Sequence, residues 1–193
     1  MILQDIINII ESVAPLSYQE SWDNSGLQVG DRNAEIHAAL LTVDVTESVV
    51  DEAIEKHCDL IISHHPLIFR GLKQITGSTT QERCIEKAIR HNIAIYSSHT
   101  SMDVYLHGVS GKIADKLDII NYHILCPTTD DNVGLGVIGE LKTPMKSDDF
   151  IHFVQNIFDC SLRYIKPCDE NITTVAICGG AGAEFITQAI AQG

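Results

Sequence analysis

Leu60-Ile61-Ile62-Ser63-His64-His65-Pro66-Leu67-Ile68-Phe69 is an apolar run that ends in two adjacent histidines and a proline. Its unbroken hydrophobic start is that of a parallel strand buried on both faces. Pro66 pushes His65 toward an extended conformation and ends regular structure near that point. Both imidazoles therefore emerge where a strand opens into a loop, the edge at which α/β proteins place ligands and catalytic groups. Neighbouring residues of an ideal strand point to opposite faces. His64 and His65 converge on one site only if the strand ends between them, or if two metal ions are bridged there. The competing reading is one hydrogen-bonded core histidine and one solvent-facing histidine.

Two further strand ends share the pattern and weigh against that competing reading. Ala38–Val43 runs into Asp44-Val45-Thr46, and Ile93–Tyr96 runs into Ser97-Ser98-His99-Thr100-Ser101-Met102-Asp103. Helix-like stretches lie between these runs, so the strands are expected to be parallel neighbours joined by crossovers. Parallel strands put their carboxyl ends at one edge. His64, His65, His99 and Asp103 are expected to gather there, with Asp44 beside them. Imidazole with carboxylate is a ligand set for zinc, iron, manganese or nickel, and it disfavours calcium.

The chain has 193 residues, 45% of them hydrophobic, enough for one sizeable core or two small lobes. No run approaches the length of a membrane span, and MILQDIINII lacks the basic region of a signal peptide. Its apolar residues Leu3, Ile6, Ile7 and Ile10 follow helical spacing. The six cysteines form no CxxC and read as buried thiols of a cytoplasmic protein. Thirteen basic against 26 acidic residues, a net charge of −13, oppose non-specific nucleic-acid binding. A phosphate-bearing substrate then needs a local cationic or metallic site.

The coarse pattern predicts helices over 2–13, 47–57, 79–91, 108–117, 147–158 and 183–192. It predicts strands over 37–43, 59–63, 93–97, 133–141, 161–165 and 173–178. The polar segment 128–132, after Pro127, divides an N-terminal lobe 1–127 from a second lobe 128–193. This is an α/β protein with mostly parallel or mixed sheets flanked by helices. Trp22-Asp23-Asn24-Ser25-Gly26-Leu27-Gln28-Val29-Gly30 reads as a loop that packs its indole and anchors the first helix. In a functional role it forms an active-site wall, with Asp23 or Asn24 binding substrate. Ile177-Cys178-Gly179-Gly180-Ala181-Gly182 resembles a phosphate-cradling turn but lacks the Walker lysine and the dinucleotide fingerprint.

WDNSGLQVG, LLTVDVT, LIISHHPLIF, SSHTSMD and AICGGAG occur in this order. Together they resemble the Nif-three-like dinuclear metal-centre family, whose members carry names such as GTP cyclohydrolase 1 type 2 homologue. The resemblance spans essentially the whole chain, and the HHPLIF and HTxxD segments are its specific parts. It implies a two-lobed α/β fold and a homo-oligomer, a hexamer built as a trimer of dimers. It implies His64, His65 and Asp103 as metal ligands, with His99 as an additional ligand or a proton-transfer group. Two divalent ions per complete site and a small-molecule substrate follow from the same resemblance. The implied activity is that of a metal-dependent hydrolase similar to GTP cyclohydrolase 1 type 2. A metal-binding or metal-delivery protein without turnover and a ring-shaped regulatory scaffold are the alternatives. Family members carry a further histidine and glutamate, four residues apart, near their C-terminus. This sequence stops at Gly193 before such a pair, so the chain is expected to be truncated and to hold fewer donors than a two-ion site needs.

Overall fold

The computed structural model describes residues 1–130, 132–165 and 171–193. The chain divides into two compact units, Met1–Met102 and Asp103–Gly193.

The first unit is built on one sheet of four strands, β1 (Gly26–Val29), β2 (Ala39–Thr42), β3 (Leu60–Ser63) and β4 (Ala94–Ser97), in the order β1-β4-β3-β2. β2, β3 and β4 are parallel and in register, with Leu40 opposite Ile61 and Ile61 opposite Ile95. β1 closes the sheet antiparallel to β4. Alternation along the strands feeds two cores. Ile61 and Ile95 point toward α2 (Glu47–Glu55) and α3 (Thr80–Arg90), where they meet Val50, Ala53, Ile85 and Ala88. Leu60, Ala94 and Tyr96 point the other way and meet Leu3 and Ile7 of α1 (Leu3–Val13). A strand covered on both faces has no polar alternation, which is why its sequence is a continuous apolar run. The helical spacing at Leu3, Ile6, Ile7 and Ile10 marks the face of α1 that packs there.

Helices α2 and α3 stop in the same way. Cys58 N–H donates to the Ala53 carbonyl and Ile93 N–H to the Ala88 carbonyl, across His57 and Asn92 in the left-handed region. The chain then turns at once into β3 and β4, so these closures set where each strand begins. At the other end of α3, Thr79 caps the helix by accepting from Glu82 N–H.

The segment Gly26–Val29, expected to be part of a loop, is instead the edge strand β1. It is four residues long and irregular between Leu27 and Val29, too short to show an alternation in sequence. Gly30 follows at φ 123°, where a Cβ would lie 2.7 Å from Ala94 Cβ, so only glycine lets β1 leave the sheet here.

The second unit carries a three-stranded antiparallel sheet, β5 (Ile119–Asp130), β6 (Val133–Lys146) and β7 (Asn171–Ile177), in the order β5-β6-β7. A four-residue helix, α4 (Thr100–Asp103), ends where the unit starts. Helices α5 (Val109–Lys116) and α6 (Ser147–Phe158) contribute Ala114, Phe150, Phe153 and Val154 to a core with Ile119, Ile124, Val137 and Val175. β5 was not legible in sequence. His123, Asn121 and Pro127 interrupt its pattern, and the ladder shifts register between Ile120 and His123. β5 continues through Pro127, where the sequence reading places a lobe boundary.

The strand expected over 161–165 is absent. Those residues have no regular structure, and Tyr164 and Ile165 stay 63% and 93% exposed, so burial does not favour pairing. The expected final helix is a 3-10 turn (Ala183–Phe185) followed by α7 (Ile186–Ala191). Of the cysteines expected to be buried, Cys58 and Cys84 are buried, Cys126 and Cys178 are half-buried and Cys160 is exposed. Cys168 lies outside the described residues. Among the described residues no helix is long and apolar enough to cross a membrane.

The α3 cap yields a pH test. The Glu82 carboxylate accepts from Thr76 N–H, the Thr76 hydroxyl, Ser78 N–H and the Thr79 hydroxyl. The Thr76 amide first, then its hydroxyl, holds Glu82 below the ordinary value of 4.5. A depressed carboxylate contributes stability above its unfolded pKa and loses it as pH falls through the folded value. Glu82→Gln is therefore expected to unfold at lower denaturant than the wild type at pH 7, with the gap closing below pH 4.5. An equal gap at pH 7 and in acid contradicts this. Thr79→Ala is expected to cost about 1 kcal/mol through the lost cap.

Candidate metal centre

The parallel register of β2, β3 and β4 brings three strand exits to one edge. Asp44 follows β2, His64 and His65 follow β3, and His99 follows β4. The ladder continues past β3 in the backbone: His64 N–H donates to the Thr42 carbonyl and His65 N–H to the Val43 carbonyl. Two serines clamp the exits. The Ser97 hydroxyl donates to the His64 carbonyl at 2.8 Å, and the Ser63 hydroxyl donates to the His65 carbonyl at 2.8 Å.

The strand ends at Ser63, so His64 and His65 escape the alternation that would separate them. Their ring centroids lie 4.9 Å apart. His99 joins them at 5.3 Å from His64 and 5.5 Å from His65. Each of the three offers a ligand atom, and these atoms all lie within 4.8 Å of one another. The other expected ligand, Asp103, ends α4 and belongs to the second unit. The three imidazoles all lie in the first unit.

Every ring is held by its Nδ1. His64 Nδ1 lies 3.2 Å from the Ser98 carbonyl, His65 Nδ1 2.7 Å from Asp44 Oδ1, and His99 Nδ1 2.8 Å from Asp23 Oδ1. A carbonyl or a carboxylate can only accept, so each Nδ1 carries the proton and donates it. In His65 and His99 this makes Nε2 the ring's ligand atom. This is the arrangement that metal-binding histidines use, with an outer acceptor fixing tautomer and ring orientation.

Asp23 does more than orient His99. Burial of its side chain opposes ionisation, but hydrogen bonds from the Thr100 hydroxyl, His99, the Ser25 hydroxyl and Asn24 N–H outweigh it and lower the pKa to about 2. Thr100 N–H also donates to the same carboxylate. Asp23 thus ties the loop before β1 to the residues after β4. The sequence reading placed Asp23 on a possible substrate wall; it stands instead behind an imidazole. Trp22, expected to be packed, is 57% exposed, with its ring 6.1 Å from that of His99. The Ser98 carbonyl was not anticipated, because a backbone acceptor leaves no trace in residue type.

An α/β sheet whose strand exits converge three anchored imidazoles defines a protein with the geometry to hold a metal ion. Residues 1–193 match the Duf34/NIF3 (NGG1p interacting factor 3) family over their whole length, and the chain belongs to that family. A Clostridium acetobutylicum protein named GTP cyclohydrolase 1 type 2 homolog is 37% identical over 99% of this chain and 72% of its own length. NIF3-like protein 1 of Drosophila melanogaster is 34% identical over 95% of this chain and 65% of its own. The fold matches the crystal structure of Staphylococcus aureus protein SA1388 with a TM-score of 0.91 and 30% identity, covering 100% of this chain and 77% of that one. A Bacillus cereus protein related to NIF3 matches with a TM-score of 0.92 and 25% identity, covering 100% and 80%.

The tautomers can be read directly. Long-range ¹H–¹⁵N spectra of the metal-free protein at mildly alkaline pH are expected to show the Nδ1–H form for His99. Nε2–H in that ring removes the role assigned to Asp23.

Proposed function

We propose that His64, His65 and His99 hold a divalent transition-metal ion, and that the chain belongs to a cytoplasmic metal-dependent hydrolase acting on a small molecule. One observation supports this reading: each Nδ1 meets an acceptor, and one ligand atom from each of the three rings lies within 4.8 Å of the other two. Three imidazole donors suit zinc, iron, manganese or nickel, and three protein ligands are the usual complement of a catalytic zinc. When bound, such an ion supplies Lewis acidity toward a substrate carbonyl or phosphoryl oxygen.

The residues of the chain have separable tasks. His64 and His99 are half-buried, one held by a backbone carbonyl and the other by Asp23. His65 is exposed, as is Asp44 behind it, which leaves the site open to solvent on that side. The ionised Asp23 accepts the His99 Nδ1 proton and so fixes Nε2 as that ring's ligand atom. The names of the relatives, GTP cyclohydrolase 1 type 2 homologs, support hydrolysis as the reaction class. Leu41 and Val43 at the sheet edge, 73% and 58% exposed, support self-association, in keeping with the hexamer implied by the resemblance.

Elemental analysis and competition with a chelator test the centre. His65→Ala is expected to abolish stoichiometric metal. Asp44→Asn, on an exposed side chain, is expected to weaken binding roughly 10–100-fold with little change in unfolding. Hydrolysis of a panel of nucleotides and phosphoesters is expected to track metal content across these variants. Full metal content in a His64→Ala, His65→Ala double variant overturns the proposal.

A further inference from the structure

Trp22 and Phe69 are large aromatic side chains that remain 57% and 43% exposed beside the imidazole cluster. Their rings touch, with centroids 6.0 Å apart and planes tilted by 60°. Trp22 also meets His99 edge-on at 6.1 Å and 71°. The pair is exposed yet fixed. Asn24 Nδ2 donates to the Ile68 carbonyl, and Ile68 N–H donates to Gln28 Oε1 at 3.0 Å. Gln28 Nε2 in turn donates to the Asn24 carbonyl at 2.7 Å. Two side-chain amides thus grip both polar groups of the residue before Phe69. They lock the Trp22 turn to the Pro66–Phe69 segment. The ionised Asp23 locks the same turn to His99 and Thr100.

Exposing an indole and a phenyl ring to water forgoes the burial that usually holds such rings inside. Here the sheet-exit loops are cross-braced so that both rings stay in place. We propose that Trp22 and Phe69 form a platform for a planar aromatic ring of the substrate, next to the bond that the metal centre works on. The rings are too close together for a third to enter between them, so the ligand ring lies on the solvent face of Trp22, with Phe69 limiting it on one side. The inference rests on the hydrolase reading for its reaction, but the platform is a binding site in its own right.

The chain has one tryptophan, so its fluorescence reports this position alone. The probes are 1-naphthyl phosphate and cyclohexyl phosphate, which share a headgroup and differ in planarity. Binding is measured by calorimetry and by Trp22 fluorescence in zinc-loaded and metal-free protein. The planar probe is expected to bind the wild type about tenfold more tightly and to quench Trp22. Trp22→Leu is expected to remove that preference while leaving zinc content and affinity for cyclohexyl phosphate unchanged. Trp22→Phe retains part of the preference, and Phe69→Leu reduces it. Equal affinity for the two probes in the wild type overturns the platform. So does a Trp22→Leu variant that keeps the preference, or one whose only change is in oligomeric state, which assigns Trp22 to an interface between copies. A planar preference in a wild-type protein that takes up none of zinc, iron, manganese or nickel upholds the platform and sinks the hydrolase reading.

Discussion

Three imidazoles can gather at one edge in fixed orientations only if each Nδ1 has an acceptor to hold it. In this protein the acceptors come from three different places: Asp44 after β2, the Ser98 carbonyl after β4, and Asp23 in the turn before β1. No local motif supplies them together. The parallel pairing of β2, β3 and β4 does, because it delivers three chain exits to one edge. The antiparallel β1 then returns the Trp22 turn to that edge. The sheet order is therefore the condition on which the site depends, and the two cores around Ile61 and Leu60 are what keep that order in place.

Asp23 shows how the exits are coupled. A buried carboxylate is costly unless its lone pairs are filled. Here they accept from Thr100, Ser25, His99 and Asn24, and the balance falls on the side of ionisation, with a pKa of about 2. The charge that results serves His99 and also stitches two loops together. Losing it would leave several donors unpaired at once, so orientation of the imidazole and order of the loops are not independent properties.

Much of the site could be seen in the sequence because its signal is one of position. His64, His65 and His99 each follow an apolar β-prone run, and the runs are separated by helices with the right period. Periodicity also located α1, α2, α3, α5 and α6. What escaped was whatever depended on partners. β1 is four residues long and irregular; β5 is broken by Asn121, His123 and Pro127; both exist because a neighbouring strand pairs with them. The run 161–165 has strand-like residues but pairs with no strand among the described residues, and it stays irregular. The roles of Asp23 and of the Ser98 carbonyl also depend on tertiary approach. The WDNS turn announced a feature at Asp23 without saying that the carboxylate would serve a histidine 76 residues away.

The electrostatics of the edge set an order of events. The chain carries a net charge of −13, and two carboxylates stand directly behind His65 and His99. An edge of imidazoles backed by carboxylates suits a cation better than an anion. A divalent ion held by the three imidazoles would reverse the sign at that point, with the carboxylates as outer partners. The acidic surroundings would then favour the ion before an anionic substrate, and the ion would supply the local attraction that the net charge of the chain opposes.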